Sequence, residues 1–122
     1  MLKKTFASDN YSGVHPAIME ALLQANHGHA PSYGADEYTA EAARKFRNLF
    51  GSETEVYFVY NGTGANVTGL QPLTHSFHSI LSDELAHINV DESTAPEKFL
   101  GCKLVPVSAR DGKMTPQAIE EL

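Results

Sequence analysis

The stretch VYFVYNGTGANVTGL (residues 56–70) decides the fold, because its character changes at the centre. The run EVYFVY (55–60) is apolar almost throughout, which is typical of a strand buried on both faces of a parallel sheet. Small residues follow, and GANVTGLQPL (64–73) is compatible with a helix that its glycines weaken and Pro72 ends. The stretch therefore predicts a strand–turn–helix unit, which is characteristic of an α/β architecture.

Two amphipathic helices are predicted before this unit. GVHPAIMEALLQANHG (13–28) carries an apolar stripe, with Pro16 in its first turn and Gly28 as its stop. DEYTAEAARKFRNLFG (36–51) begins at a capping Asp36 and ends at Gly51.

Three short strands, a turn and a final helix are predicted after the unit. The strands are SFHSILS (76–82), AHINV (86–90) and KLVPV (103–107), the turn is RDG (110–112), and the helix is TPQAIEEL (115–122). The resulting order is α-α-β-α-β-β-β-α. Because the final helix is well capped by Thr115 but stops after its first turns, the sequence also predicts that this chain is part of something larger.

Composition bounds the class of protein. The 122 residues are 42% hydrophobic and 20% charged, as in one ordinary globular domain. A net charge of −6 with scattered Lys and Arg argues against a nucleic-acid surface. Cys102 is the only cysteine, which predicts a buried thiol in a cytoplasmic protein, and no apolar run approaches the ~18 residues of a membrane span.

The glycine turn between the strand and the helix predicts an anion site. Free N–H groups at a helix N-terminus point outward, and the helix dipole adds partial positive charge. Gly62 and Gly64 permit a close approach, Thr63 adds a hydroxyl donor, and Asn61 is a candidate cap. The alternative is an ordinary turn, since glycine punctuates loops whatever they bind. A P-loop is excluded because no Gly-Lys-Ser/Thr follows.

Two other ligand classes fit less well. GTGANV contains the first two glycines of a dinucleotide-binding fingerprint, and the acidic residue of that fingerprint could be Asp83, about twenty residues on. However, Val67 occupies the position of the third glycine. A metal site is not predicted, because the histidine pairs His27/His29 and His75/His78 lack further convergent ligands.

Four stretches taken together closely resemble the N-terminal part of the threonine aldolase family. They are ASDNYSGVHPAIMEAL (7–22), GHAPSYGADEYT (28–39), YNGTGANV (60–67) and AHINVDESTAPEKFLGCKL (86–104). Members are pyridoxal-phosphate (PLP) enzymes of the β-eliminating lyase group with the aspartate-aminotransferase-type fold (fold type I). The resemblance implies that residues 1–122 form the N-terminal part of the large PLP-binding domain, a mostly parallel sheet with flanking helices. The remainder of that domain and the small C-terminal domain would then lie outside this chain.

The resemblance also assigns roles to single residues. Gly62 and Thr63 match the pair that holds the PLP phosphate, and His87 matches the histidine that stacks on the pyridine ring, where it also suits proton transfer. Ser8, of the Ser8-Asp9 pair, matches the serine beside the substrate carboxylate, and Tyr33 matches a tyrosine that reaches a neighbouring subunit's site. Without the resemblance, a lone histidine beside a strand, such as His87, is more often structural than functional. Ser8 and Tyr33 would likewise be read as ordinary loop residues.

Departures from the family pattern limit what this chain can do alone. The family's Schiff-base lysine, the aspartate at the pyridine nitrogen and the carboxylate-binding arginines lie further along the fold. None of the chain's lysines has the context of the covalent lysine: Lys3, Lys4, Lys45, Lys98, Lys103 and Lys113. The sequence DESTAPE (91–97) also replaces a glycine-containing stretch of many relatives. The resemblance therefore assigns a family role to Glu92 only weakly.

The sequence therefore predicts an enzyme whose intact form cleaves β-hydroxy-α-amino acids such as threonine or allo-threonine to glycine and an aldehyde. PLP is the expected cofactor, the amino acid the expected substrate, and a homo-oligomer (dimer or tetramer) with shared active sites the expected assembly. Neither a nucleic acid nor a membrane is an expected partner. Residues 1–122 alone are expected to be inactive. The hypothesis from another class is a non-catalytic binding module or a subunit completed by a separate chain.

Overall fold

The computed structural model describes residues 3–122, and for Asp9 it describes the backbone alone. The chain divides into two compact units, the first ending at Val56 and the second spanning Tyr57–Leu122.

The first unit is helical. A short 3₁₀ turn, Asp9–Tyr11, precedes helix α1 (Pro16–Ala25) and helix α2 (Glu37–Phe50). Helix α1 begins at the predicted proline, but it ends at Ala25 rather than at Gly28, because Asn26, with ψ 48°, has already left the helical conformation.

Both predicted ends of helix α2 are confirmed. The Asp36 carboxylate accepts the Thr39 N–H at 2.8 Å and the Thr39 hydroxyl at 2.7 Å. These hydrogen bonds, the hydroxyl contributing most, lower the pKa of Asp36. At the other end, Gly51 adopts φ 112° and its N–H donates to the Arg47 carbonyl. Within the helix, the hydrogen bond from Arg44 lowers the pKa of Glu41.

The second unit contains the sheet. Its elements are helix α3 (Gly62–Leu70), a 3₁₀ turn (Gln71–Leu73), strand β1 (Ser79–Asp83), helices α4 (His87–Val90) and α5 (Ala95–Leu100), strand β2 (Lys103–Val107) and helix α6 (Pro116–Glu120). Strands β1 and β2 pair in parallel, with Ser79 opposite Lys103 and Asp83 opposite Val107. Because α4 and α5 connect them, the two strands form a β–α–β crossover.

The core of this unit lies along β2 and the helix before it. The buried apolar side chains are those of Pro96, Leu100, Cys102, Leu104 and Val107. Cys102 is thus a small buried hydrophobic residue, as predicted. The predicted turn at 110–112 and the Thr115 cap of α6, which accepts the Ala118 N–H at 3.2 Å, are also confirmed.

The predicted strand at 55–60 is wrong for the chain as described. Residues 55–60 have no strand assignment, and Tyr57 and Tyr60 are 81% and 101% exposed. A strand needs a neighbour to satisfy its backbone N–H and C=O groups, and no described segment pairs with this one. It instead lines an open apolar groove together with α3.

The predicted strand AHINV is also wrong, since His87–Val90 is helix α4. Asn89 accounts for the difference: its Nδ2 donates to Ser82 Oγ and to the Asp83 carbonyl, both at 2.6 Å, which folds the segment back onto the end of β1. Helix α5 was not predicted at all. Among the described residues, no helix is long and apolar enough to cross a membrane.

Candidate functional site

The first turn of α3 presents unused hydrogen-bond donors. Asn61 caps the helix, as anticipated: its Oδ1 accepts the Gly64 N–H at 2.8 Å, and its carbonyl accepts the Ala65 N–H at 3.0 Å. The N–H groups of Gly62 and Thr63 and the half-buried Thr63 hydroxyl have no partner within residues 3–122. Because α3 has nine residues, its dipole adds partial positive charge at these donors.

The two glycines of this turn, Gly62 and Gly64, have different surroundings. A Cβ on Gly64 would lie 3.3 Å from Asn61 Oδ1 and 3.6 Å from Val59 Cβ, so glycine keeps the cap closed. A Cβ on Gly62 would meet nothing within 4 Å, so the space in front of that residue is open. The turn therefore has a tightly packed side and an open side, and the open side carries the free donors.

His87 lies beyond the carboxyl end of β1, the end at which open α/β sheets bind ligands. It is the first residue of α4, and its side chain is 65% exposed. Its Nδ1 is 2.9 Å from Glu92 Oε1, so one ring nitrogen is held by the protein while most of the ring faces outward. A flat, polarisable ring held in this way can cover one face of a planar ligand.

Glu92 joins the histidine to the anion turn. Its side chain is fully buried, and Asn66 of α3 donates to the same Oε1 at 2.6 Å. Asn66 follows Thr63 by three residues, almost one helical turn. Two hydrogen bonds therefore connect the donor-bearing helix to His87, and the second unit brings Gly62, Thr63 and His87 into one bonded framework.

Sequence reasoning missed Asn66 and undervalued Glu92. The signal for Glu92 was present, since it is one of two acids that follow AHIN (86–89), but the loss of the glycine-containing stretch obscured it. Asn66 gave no signal, because an Asn inside a helix is usually a solvent-facing residue.

Ser8 lies in the first unit, in the loop before the 3₁₀ turn. Its Oγ accepts the Asn10 N–H at 3.2 Å, and its carbonyl accepts the Tyr11 N–H at 3.2 Å. The residue lines a cavity of about 580 Å³ together with Lys3 and Lys4, whose positive charges suit an anionic group. The Asp9 side chain lies outside the described part of the chain.

Tyr33 also belongs to the first unit, in the loop between α1 and α2. Its side chain is fully exposed and its backbone is left-handed, with φ 61°. A left-handed non-glycine residue is uncommon and often marks a functional loop. Within the described chain this side chain is free to meet another surface.

Comparison with known proteins gives a consistent set of relatives. A match to the family described as "Beta-eliminating lyase" covers residues 5–122. The chain is 48% identical over 118 residues to a low specificity L-threonine aldolase of Pseudomonas sp. (strain NCIMB 10558), and 46% identical over 118 residues to one of Pseudomonas aeruginosa. Each alignment covers 96% of this chain and 34% of the relative, so the chain spans about a third of the length of the curated relatives it matches.

A solved structure agrees with these matches. The threonine aldolase of Leishmania major superposes with a TM-score of 0.78 and 29% identity, covering 90% of this chain and 32% of that one. The predicted α/β architecture of PLP fold type I, with a parallel sheet and flanking helices, is therefore confirmed.

Proposed function

This chain belongs to the beta-eliminating lyase family, and from that premise we propose that the whole protein is a PLP-dependent aldehyde-lyase. Its substrates are β-hydroxy-α-amino acids such as L-threonine and allo-threonine, which it cleaves to glycine and an aldehyde. The observation that carries the proposal is the similarity of 96% of the chain to two low specificity L-threonine aldolases. The family match also favours PLP over a dinucleotide as the ligand of the glycine turn.

The donors of the second unit fit PLP. A phosphate needs several converging hydrogen-bond donors and a positive field, and the start of α3 offers two N–H groups, one hydroxyl and the helix dipole. The open space in front of Gly62 admits the phosphate oxygens. Gly62 and Thr63 would hold the phosphate, and the exposed ring of His87 would lie against the face of the pyridine.

The chemistry is divided between the cofactor and the protein. When bound, PLP supplies an electron sink for the electron pair left on Cα when the Cα–Cβ bond breaks. The chain's own residues would bind and orient: the first turn of α3 would hold the phosphate, and His87 would hold the ring and can accept a proton on its outward nitrogen. By resemblance, Ser8 places the substrate carboxylate, and the two lysines that line its cavity support that role.

Assembly and organisation follow from the same resemblance. The exposed Tyr33 supports a homo-oligomer in which this loop serves a neighbouring subunit's site. Residues 1–122 would be the N-terminal part of the large PLP-binding domain. The covalent lysine would come from sequence beyond this region, and the cytoplasm is the proposed location.

The activity is tested on the protein as its gene encodes it. Purified protein incubated with PLP should show the absorbance of a lysine-bound cofactor, and adding L-threonine should release acetaldehyde, measured by coupled oxidation of NADH. Cofactor binding without aldehyde from any β-hydroxy amino acid would mean a different PLP lyase. Neither binding nor cleavage would support the non-catalytic module.

The phosphate site is tested separately. Thr63→Ala removes a hydroxyl donor to a charged group, which contributes about 1.5–3 kcal/mol, so PLP should bind about 10- to 100-fold more weakly. Thr63→Ser keeps the hydroxyl and serves as the matched control. Equal PLP affinity for Thr63→Ala and the parent protein in a fluorescence titration would contradict the assignment.

A further inference from the structure

Glu92 is a buried acid in a unit whose other buried side chains are apolar except for Ser82. Its side chain is 0% exposed, whereas the His87 side chain that it contacts is 65% exposed. Oε1 accepts from Asn66 Nδ2 at 2.6 Å and lies 2.9 Å from His87 Nδ1, and Oε2 has no hydrogen-bond partner within residues 3–122. Burying a carboxylate is costly unless it is hydrogen-bonded, so the contacts of Oε1 with Asn66 and His87 compensate for its position.

The backbone directly after Glu92 is strained. Ser93 and Thr94 both adopt left-handed dihedrals, with φ 49° and 60°. The Ala95 N–H donates to the Glu92 carbonyl at 2.9 Å, and the next residue, Pro96, is buried. Two consecutive left-handed residues other than glycine are expensive, and such strain persists where the surrounding structure requires it.

We propose that Glu92 is a positioning residue, which fixes the ring orientation and the tautomer of His87, and that Asn66 ties this pair to the first turns of α3. That His87 faces the pyridine ring of PLP rests on the proposed function. The tautomer of His87 does not depend on it.

The tautomer follows from hydrogen-bonding rules. An ionised carboxylate only accepts hydrogen bonds, so the 2.9 Å contact requires a proton on His87 Nδ1. In the neutral imidazole, Nε2 then keeps its lone pair. Because the ring is mostly exposed, this acceptor nitrogen belongs to the outward part of the side chain. Without Glu92 the exposed ring would be free to choose either tautomer and either rotation.

Asn66 makes this arrangement part of the site. It follows Thr63 by three residues on the same helix, and its amide orients Glu92 through Oε1. A displacement of α3 is therefore transmitted to the His87 ring through two hydrogen bonds. The hydrogen-bond donors for the phosphate and the His87 ring thereby keep a fixed distance and orientation, which efficient catalysis requires of a binding site.

The direct test measures the ring nitrogens of His87. The whole protein, freed of PLP and labelled with ¹⁵N-histidine, is studied at alkaline pH, with the His87 signals assigned by their loss in His87→Phe. The parent protein should show protonated Nδ1 and unprotonated Nε2. Glu92→Leu should lose this preference, while Glu92→Gln should keep it because the amide oxygen still accepts. Glu84→Gln is the control, since within residues 3–122 the Glu84 carboxylate accepts only from the exposed Ser108 hydroxyl. A parent protein with the proton on Nε2 would overturn the proposal even if Glu92→Leu failed to fold.

A second measurement uses the PLP-loaded protein. Glu92→Leu should lower kcat about 10- to 100-fold with little change in KM for threonine, because the ring is misoriented rather than lost. Glu92→Gln should recover most of the rate. The two hypotheses fail differently: a protein that keeps the Nδ1 proton but does not cleave threonine refutes the aldolase proposal alone. A threonine-cleaving protein whose Glu92→Leu variant keeps both tautomer and kcat refutes the positioning role alone.

Discussion

Replacing Thr94 by glycine should stabilise the protein. Thr94 has φ 60° and ψ 16°, in the left-handed region that a β-branched residue strongly avoids. Its exposed side chain makes no capping hydrogen bond to α5, so the substitution removes no contact of that kind. The backbone bond from the Lys98 N–H to the Thr94 carbonyl, 2.9 Å long, is unaffected by the side chain.

The magnitude is a difference of two backbone costs. The left-handed conformation costs a residue with a Cβ about 1–2 kcal/mol. Glycine removes this cost but loses about 0.5–1 kcal/mol through the greater freedom of its unfolded chain. The free energy of unfolding of Thr94→Gly should therefore rise by about 0.5–1 kcal/mol.

Urea denaturation of the protein as its gene encodes it provides the assay. The midpoint should move to higher urea at an unchanged slope, since the folded surface does not change. Thr94→Ala is the matched control: it also removes the hydroxyl and the β-branch but keeps the Cβ, so its gain should be smaller. A Thr94→Gly protein no more stable than the parent, or a Thr94→Ala protein that gains as much, would refute the backbone argument.

Four further outcomes are expected. The Asp36 cap has a lowered pKa in the folded state, so its stabilisation is present above the unfolded pKa and lost as pH falls through the folded pKa; Asp36→Asn should reduce the acid sensitivity seen in pH-dependent melting. Gly51→Ala should cost about 1–3 kcal/mol in urea, since φ 112° and ψ 153° suit only glycine, whereas Gly69→Ala, inside α3 and facing open space, should not destabilise. Cys102→Ser should cost about 1–3 kcal/mol by burying an unpartnered hydroxyl, and more than Cys102→Ala. Residues 1–122 expressed alone with PLP should give no single-lysine adduct after borohydride reduction and no threonine cleavage; a specific adduct with cleavage would contradict this.

Local chemistry explains which elements the sequence predicts well. The ends of α2 and the start of α6 depend on residues within four positions of one another: Asp36 with Thr39, Gly51 with Arg47, and Thr115 with Ala118. Such caps form wherever the helix forms, so a pattern in the sequence is enough to locate them.

Elements that depend on distant partners were predicted less well. The apolar run at 55–60 has the composition of a buried strand, but a strand exists only where a neighbour accepts its hydrogen bonds, and none of the described segments does so. The segment 86–90 has strand-like composition, yet Asn89 binds the end of β1 and the segment becomes helix α4.

The sequence by itself determined the α/β class and the glycine turn with its Asn61 cap, because each depends on residues that are adjacent in the chain. Only the tertiary structure decided that Glu92 is buried and that it joins Asn66 to His87. The Asn66–Glu92 bond spans 26 positions of sequence, and no local pattern states which side chain a buried carboxylate will meet. Folding brings those atoms within 3 Å of each other, and burial then makes the pairing obligatory.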